Sequence, residues 1–374
     1  MRKLTSVSNF KRIIKSPVQL LSALDAGIVW ICSHSGWLSA VYFTLFNRSF
    51  RREQKAVLAG RVRYSRDLRK PVETSALLRR NTHRLEKGLL MRPRHDVFAL
   101  DYIGETVSCY ERVVRILQRQ PSLASHAPQV LEVQWAHDVL TDYFSATRPH
   151  PRTHAIRQKF CSMAPVATAK VSDDTKMVPY RRDLASKPNV NYEDLHALAM
   201  RRRSVRWFLQ KAVPREAVDR AIEIAAQSPS ACNRQPFQFR IIDEPKLLRE
   251  VSRIPMGTSG YEDNIPMLIV IVGRLRNYMS ERDRHLIYID SSLAAMSLMF
   301  GLEVQELSSC CINWPDIESK ERKMASLLKL SPDERPIMCL AVGYPDPTGL
   351  VAYSSKKPLQ LLRRYNCEKP TADH

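Results

Sequence analysis

The sequence predicts an α+β fold: a mixed sheet flanked by helices, preceded by a mainly helical, basic N-terminal region. Three observations carry this expectation. Two continuous apolar runs, residues 266–273 and 336–343, read as buried strands. Between them, residues 283–302 are apolar on almost every face, which suits a helix buried on most sides. Ahead of residue 191 the pattern differs. There, apolar residues recur at three- and four-residue spacing among many arginines, as in Val107, Tyr110, Val113, Val114 and Leu117.

The chain has 374 residues, enough for two domains of ordinary size. Residues 1–150 read as a helical region, with helices expected over 51–120 and 129–146. Residues 151–190 are rich in Pro, Arg, Lys, Ser and Thr and read as a linker. Residues 191–366 form the second unit, and 367–374 a tail. Within the second unit the expected order is helix 192–202, helix 214–227, loop 228–236 and strand 237–242. Helix 245–252, strand 266–273 and helix 283–302 follow. Strand 309–312, helix 317–328 and strand 336–343 complete it. Pro214 suits the first turn of its helix, where the missing N–H costs nothing.

The net charge is +20. Residues 1–190 hold 32 Lys and Arg against 15 Asp and Glu, while the remainder holds 26 against 23. The basic half points to an anionic partner or to charge spread over solvated helix faces. No helix-turn-helix, finger or RNA-binding signature is present, so nucleic acid is not the expected partner. The eight cysteines are scattered without C-x-x-C spacing, which argues against a zinc site and suits a reducing, cytoplasmic compartment.

The N-terminus carries Lys3, Lys11, Arg12 and Lys15 ahead of an apolar stretch, residues 18–46. Asp25, Ser33, His34, Ser35 and Gly36 interrupt it, so a spanning helix of about 20 apolar residues is not expected. Two amphipathic helices, 17–30 and 37–46, fit better. Packing inside the protein is the expectation, and peripheral membrane contact is the alternative.

Four segments carry the chemistry. Arg202, Arg203, Ser204, Val205 and Arg206 form a basic run at a helix end. Arginine gives forked, charge-assisted bonds to phosphate, and serine adds a short donor. The loop Ser228–Phe237 holds small residues plus Asn233 and Gln235, which can read a polar heterocycle. Ser308, Ser309, Cys310 and Cys311 follow the apolar helix, and Gly343, Tyr344 and Pro345 follow the last strand, with Lys356, Lys357 and Pro358 beyond. Alone, each also reads as an ordinary helix end, loop or core strand.

In this order the four segments resemble the nitroreductase family, flavoproteins that include the iodotyrosine deiodinases. The resemblance covers about 175 residues. It implies bound FMN, with NAD(P)H as co-substrate, in a homodimer with FMN at the interface. Arg202, Ser204 and Lys356 would hold the phosphate, with Arg203 helping or facing solvent. Arg206 would sit near flavin N1 and the C2 carbonyl, where positive charge stabilises the reduced, anionic ring. Ser230, Ala231 and Asn233 would approach the ring from the partner subunit, and Ser309, Cys310 and Cys311 would border it. No side chain need act as general base, because hydride moves through flavin N5.

Two departures stand out. The family often has arginine where Lys356 stands, and residues 273–281 leave little room for its usual lid. The implied activity is electron transfer from NAD(P)H to a small acceptor: a nitroaromatic, a quinone or a specialised metabolite. The alternative is a flavin-binding or scaffolding module with little turnover, docked on an anionic polymer or membrane by the basic half. The phrase Asn81–Leu89 (Asn-Thr-His-Arg-Leu-Glu-Lys-Gly-Leu) resembles a segment ahead of nitroreductase domains in bacterial proteins linked to surface-polysaccharide synthesis. Read from its residues, it places His83, Arg84, Glu86 and Lys87 on adjacent helical turns as an ion network, with Gly88 as a helix end.

Overall fold

In the computed structural model, residues 25, 27–69, 75–119, 129–163 and 176–366 are described. The expected helix over 17–30 falls mostly outside them, as does Cys367. Helices α1 (Gly36–Leu45), α2 (Arg51–Arg69), α3 (Ala76–Leu89), α4 (Ile103–Arg119), α5 (Gln129–Ala146) and α6 (Pro151–Cys161) build the N-terminal part. Helices α7 (Tyr192–Arg201) and α8 (Arg215–Ala226) precede strand β1 (Phe237–Ile242). Then come α9 (Pro245–Ser252), β2 (Met267–Arg274), α10 (Leu286–Glu303), β3 (Ser308–Asn313), α11 (Glu318–Leu328), β4 (Glu334–Gly343) and a short α12 (Leu359–Leu362).

The sheet order is β1-β2-β4-β3, and every neighbouring pair is antiparallel. The mixed character expected from the sequence survives only as an isolated parallel bridge, Ser204 to Ser309. The reason is topological. Strands β2 and β3, joined through α10, run in the same direction, but β4 inserts between them and opposes both.

Alternation along β2 explains its unbroken apolar sequence. Leu268, Val270 and Val272 pack into one layer with Val251 of α9 and Met324 of α11. Met267, Ile269 and Ile271 pack into the other with Ala221 of α8 and Ala294 and Leu298 of α10. Successive side chains point to opposite faces, so a strand covered on both faces must be apolar at every position. Helices α8 and α10 approach closely because their contact residues are small. A Cβ on Gly301 would stand 3.0 Å from Ala221 Cα.

A separate core joins α3 to α6. Leu78, Leu85, Ile103, Tyr110, Leu140, Tyr143 and Phe160 are buried in it. Residues 151–161 are therefore helix packed against this core, not linker. His150 caps the N-terminus of α6 and Pro151 opens it, while Thr153 and Phe160 are buried. Polar composition hid a helix held mainly by these two contacts.

Helix α2 ties the two cores together. Its Tyr64 belongs to the helical core, while Ala56 and Val57 pack with Leu275, Tyr278 and Ile287 of the sheet domain. Gly60 permits that approach: a Cβ there would lie 2.7 Å from Leu275 Cβ. An ionic cluster adds to it. Arg335, only 3% exposed, faces Glu53 of α2 at 3.5 Å, Asp316 at 2.9 Å and Glu321 at 3.4 Å. Arg52 of α2 grips Glu318 through two bonds of 2.6 Å.

Internal packing does not hold for the described part of the N-terminal apolar segment, residues 27–46. Helix α1 has no buried residue. Trp37 and Phe46 are each 72% exposed.

Removing Arg335 leaves the buried Glu321 carboxylate only the longer contact with Arg52 at 3.8 Å as counter-charge. Arg335→Ala should therefore cost about 3–5 kcal/mol. Arg52→Ala, at a more exposed pair, should cost about 1 kcal/mol or less. Urea unfolding of the two variants checks the ranking, and equal losses would contradict it.

Candidate functional site

The predicted site residues fall into two groups. The first lies along the open edge of β3. The segment after α7 runs beside this edge: Ser204 bridges Ser309, and Val205 N donates to Ser309 O at 3.2 Å. Further on, Leu209 N donates to Tyr344 O at 2.9 Å, and Phe208 N donates to Asn264 Oδ1 at 2.6 Å. Gly343 is required by this packing, since a Cβ would meet Pro266 Cγ at 2.6 Å and Phe208 Cδ1 at 2.8 Å.

This arrangement leaves donors unspent. Arg202 Nε and Ser309 Oγ are buried and have no hydrogen-bond partner among the described residues. A buried donor without a partner is costly, and a ligand rich in anionic oxygens is what Arg202 would satisfy. Desolvation raises the Cys311 thiol above its ordinary range, with Cys310 adding and the Arg202 charge opposing. Arg202 therefore lies close to the β3 edge. Arg206 is exposed, with Nη1 donating to Ser204 O at 3.4 Å. Burial pushes the Tyr261 hydroxyl up, Cys310 adds to this, and Arg206 opposes it. The Tyr261 hydroxyl stands 3.7 Å from Cys310 Sγ. Arg203 is half-buried. Lys356 lies in the exposed segment 351–366, and no hydrogen bond or ion pair ties it to Arg202 or Ser204 among the described residues.

The second group is the loop between α8 and β1. Cys232, Asn233 and Gln235 all adopt positive φ, a conformation costing of order 1 kcal/mol or more for a residue with a side chain. A dense network holds them there. Ala231 N donates to Asp290 Oδ2 at 3.0 Å, and Gln235 N donates to Ser230 Oγ at 3.1 Å. Gln235 Nε2 donates to Asn233 Oδ1 at 3.0 Å. Arg234, buried over the Tyr278 ring at 4.3 Å, donates to Ala231 O at 3.1 Å. Burial raises the Asp290 carboxyl above the usual range, opposed by Ala231 N–H, the Tyr278 hydroxyl and Arg234.

The N-terminal part reaches this loop. Arg79 of α3 donates through Nε to Asn233 O at 2.9 Å and pairs with Glu132 at 3.4 Å. The conspicuous phrase Asn81–Leu89 of the same helix makes its contacts within the N-terminal part. His83 and Glu86 pair at 3.3 Å, and Trp135 Nε1 donates to Glu86 at 2.9 Å. Arg84 lies over the Tyr102 ring at 3.6 Å. Gly88 lies inside α3 and does not end it, since Leu90 is the C-cap, and it leaves room for the Phe98 ring.

One chain does not bring the two groups together. The loop is fixed to Asp290 near the start of α10. The phosphate-type group lies near its end, where Arg201 pairs with Glu303 at 3.2 Å and β3 begins. Thirteen helical residues separate Asp290 from Glu303, a rise of about 20 Å. Arg79, Arg234, Tyr278 and Asp290 are the loop's supports, and sequence reading did not select them. Their partners are remote along the chain, so no local spacing announces them.

Comparison with known proteins follows the same stretch. Residues 199–344 match the model of the nitroreductase family. Those residues are a nitroreductase domain. It is similar to iodotyrosine deiodinase 1 of Pongo abelii, at 24% identity over 45% of this chain and 67% of that protein. It is also similar to an iodotyrosine deiodinase of Thermotoga neapolitana, at 26% identity over 41% and 89%. A solved nitroreductase family protein from Streptococcus pneumoniae aligns at 22% identity and a TM-score of 0.41, over 46% of this chain and all of that one. The nitroreductase domain thus contains both site groups, while α1–α6 lie outside the matched residues.

Asp290 joins the loop to α10 through Ala231 N and the Tyr278 hydroxyl. Asp290→Leu leaves both donors unpaired and should cost about 1–3 kcal/mol for each. Backbone amide exchange should rise first in the Ser230–Gln235 loop; unchanged protection there would contradict the assignment of Asp290 as its anchor.

Proposed function

We propose that the chain is an FMN-dependent oxidoreductase that moves electrons from NAD(P)H to a small organic acceptor, as a homodimer. The family of residues 199–344 supports the flavin and the reaction class. The observation that carries the site assignment is the pair of unspent buried polar atoms, Arg202 Nε and Ser309 Oγ, beside Ser204 on an open strand edge. These residues suit the phosphate and polar ring edge of FMN.

Arg202 and Ser204 would bind the phosphate, and Ser309, Cys310 and Cys311 would wall one side of the ring. Arg206 would supply positive charge where electron density rises on reduction. Bound FMN supplies the hydride-accepting ring, so the chain's task is to position and exclude water. The separation of the two groups by α10 supports the dimer. The Ser230–Asn233 loop of one copy would close over the Arg202 group of the other.

Two unpartnered apolar surfaces add support. Ile289, Leu293 and Met296 form an exposed stripe on one face of α10, at the spacing of a helix face. The exposed arm beyond β4 carries Leu350, Tyr353, Leu361 and Leu362. A second copy could cover both, and could bring Lys356 to the phosphate. Acceptor classes to test are nitroaromatics, quinones and, following the names of the relatives, iodinated tyrosines.

The test is FMN titration followed by anaerobic NADH or NADPH, read by visible absorption. The wild type should bind FMN and bleach with at least one nucleotide. Arg202→Ala should weaken FMN about 10–100-fold, the worth of a charge-assisted bond. Bound FMN that neither nucleotide reduces would leave a flavin-binding module. Failure to bind FMN would overturn the reading.

A further inference from the structure

Residues 26–47 contain no Lys, Arg, Asp or Glu. Residues 27–33 are helical, the chain turns at His34, and α1 follows behind the Ser35 cap. The two helices fold back on each other. Ser39 Oγ donates to Cys32 O at 2.7 Å, and the Tyr42 hydroxyl donates to Asp25 at 3.3 Å.

Polar side chains in this hairpin bond to its own backbone, although Ser33, His34 and Thr44 are themselves exposed. Ser33 Oγ donates to Trp30 O at 2.7 Å, His34 Nδ1 lies 2.7 Å from the same oxygen, and Thr44 Oγ1 donates to Ala40 O at 2.7 Å. The outward side is apolar: Ile28, Trp30, Ile31, Trp37, Leu45 and Phe46 are all exposed. Spending polar groups internally while exposing apolar ones is the pattern a hydrocarbon environment demands.

Charge begins where the hairpin ends. Arg48, Arg51 and Lys55 lie on the α2 side of a groove of about 860 Å³ between α2 and α11, whose other side carries Asp316, Glu318, Glu321 and Glu334. Arg48 and Arg51 form no ion pair with an acid among the described residues, Arg51 instead donates to Thr44 O at 3.1 Å, and Lys55 helps hold the Glu318 carboxyl down. Four further cations, Lys3, Lys11, Arg12 and Lys15, precede the hairpin in sequence. Tryptophan suits the membrane–water boundary, and basic residues beside an apolar face are drawn to anionic headgroups.

We infer that the hairpin of residues 27–46 inserts into one leaflet of an anionic phospholipid bilayer, with Arg48, Arg51 and Lys55 held at the headgroups. The ten residues of α1 rise about 15 Å, half the hydrocarbon thickness, so the hairpin enters the bilayer without crossing it. The inference does not depend on the flavin reading. A membrane surface would then hold the nitroreductase domain beside it, and lipid-soluble acceptors would be within its reach.

The experiment is flotation of the full-length protein with phosphatidylcholine vesicles, with and without phosphatidylglycerol. The wild type should float with the anionic vesicles and much less with the neutral ones, and added salt should weaken it. Trp30→Glu with Trp37→Glu should lower binding at least about tenfold. Arg48→Glu with Lys55→Glu should remove the preference for phosphatidylglycerol. Both substituted pairs lie outside the nitroreductase domain, so flavin content should stay unchanged. No flotation of the wild type, or undiminished flotation of the tryptophan variant, would overturn the inference. So would a change of oligomeric state in that variant without vesicles, because the apolar face would then belong to a second copy.

Discussion

Helix α10 sets the terms for the rest of the nitroreductase domain. It packs on one face of the sheet through Ala294, Leu298 and Leu302, so its position and direction are fixed by the core. Its two ends carry different parts of the site. Near one end, Asp290 holds a strained loop in place. At the other, Glu303 meets Arg201, and β3 presents Ser309 beside Ser204. About 20 Å of helix rise separates the two parts. Its outward stripe of Ile289, Leu293 and Met296 is apolar and uncovered. The second copy proposed for the site would cover this stripe.

The N-terminal helices act on this frame through α2 and α3. Helix α2 is locked to the sheet domain by the close contact at Gly60 and the buried charge of Arg335. That docking places α3 against the loop, where Arg79 takes the Asn233 carbonyl. Ordering a loop with three residues at positive φ costs free energy, and ties from two separate regions offset it. The N-terminal half thus reaches the site by bracing the loop. The short segment between β2 and α10 is consistent with this: Asn277 and Tyr278 spend their contacts supporting the same loop.

Much of this was legible from residue order because its causes are local. The apolar runs of β2 and β4 and the turn chemistry around Pro214 and Pro245 place most elements within a few residues. Antiparallel pairing was not legible, since the insertion of β4 between β2 and β3 is a long-range choice. Helix α6 hid in a polar stretch because few of its residues are apolar: Thr153 and Phe160 are its buried residues, and Ile156 packs beside them. The exposure of α1 was hidden for the opposite reason: apolar residues read alike whether they meet a protein core or some other apolar surface. Among the site residues, Ser204 and Ser309 lie side by side. Lys356 stands apart in the exposed arm, and Ser230, Ala231 and Asn233 sit at the far end of α10. Asp290 and Arg79 were invisible because their partners lie 59 and 154 residues away.

The central claim is that each site is shared between two copies. The most direct test is complementation between defective partners. Arg202→Ala damages the phosphate group, and Asn233→Trp obstructs the loop. Each variant alone should lose FMN at both sites. A heterodimer of the two, isolated through separate affinity tags, contains one site with both defects and one with neither. It should recover one bound FMN per dimer. A heterodimer as empty as its parents would contradict the shared site and return both halves to a single chain.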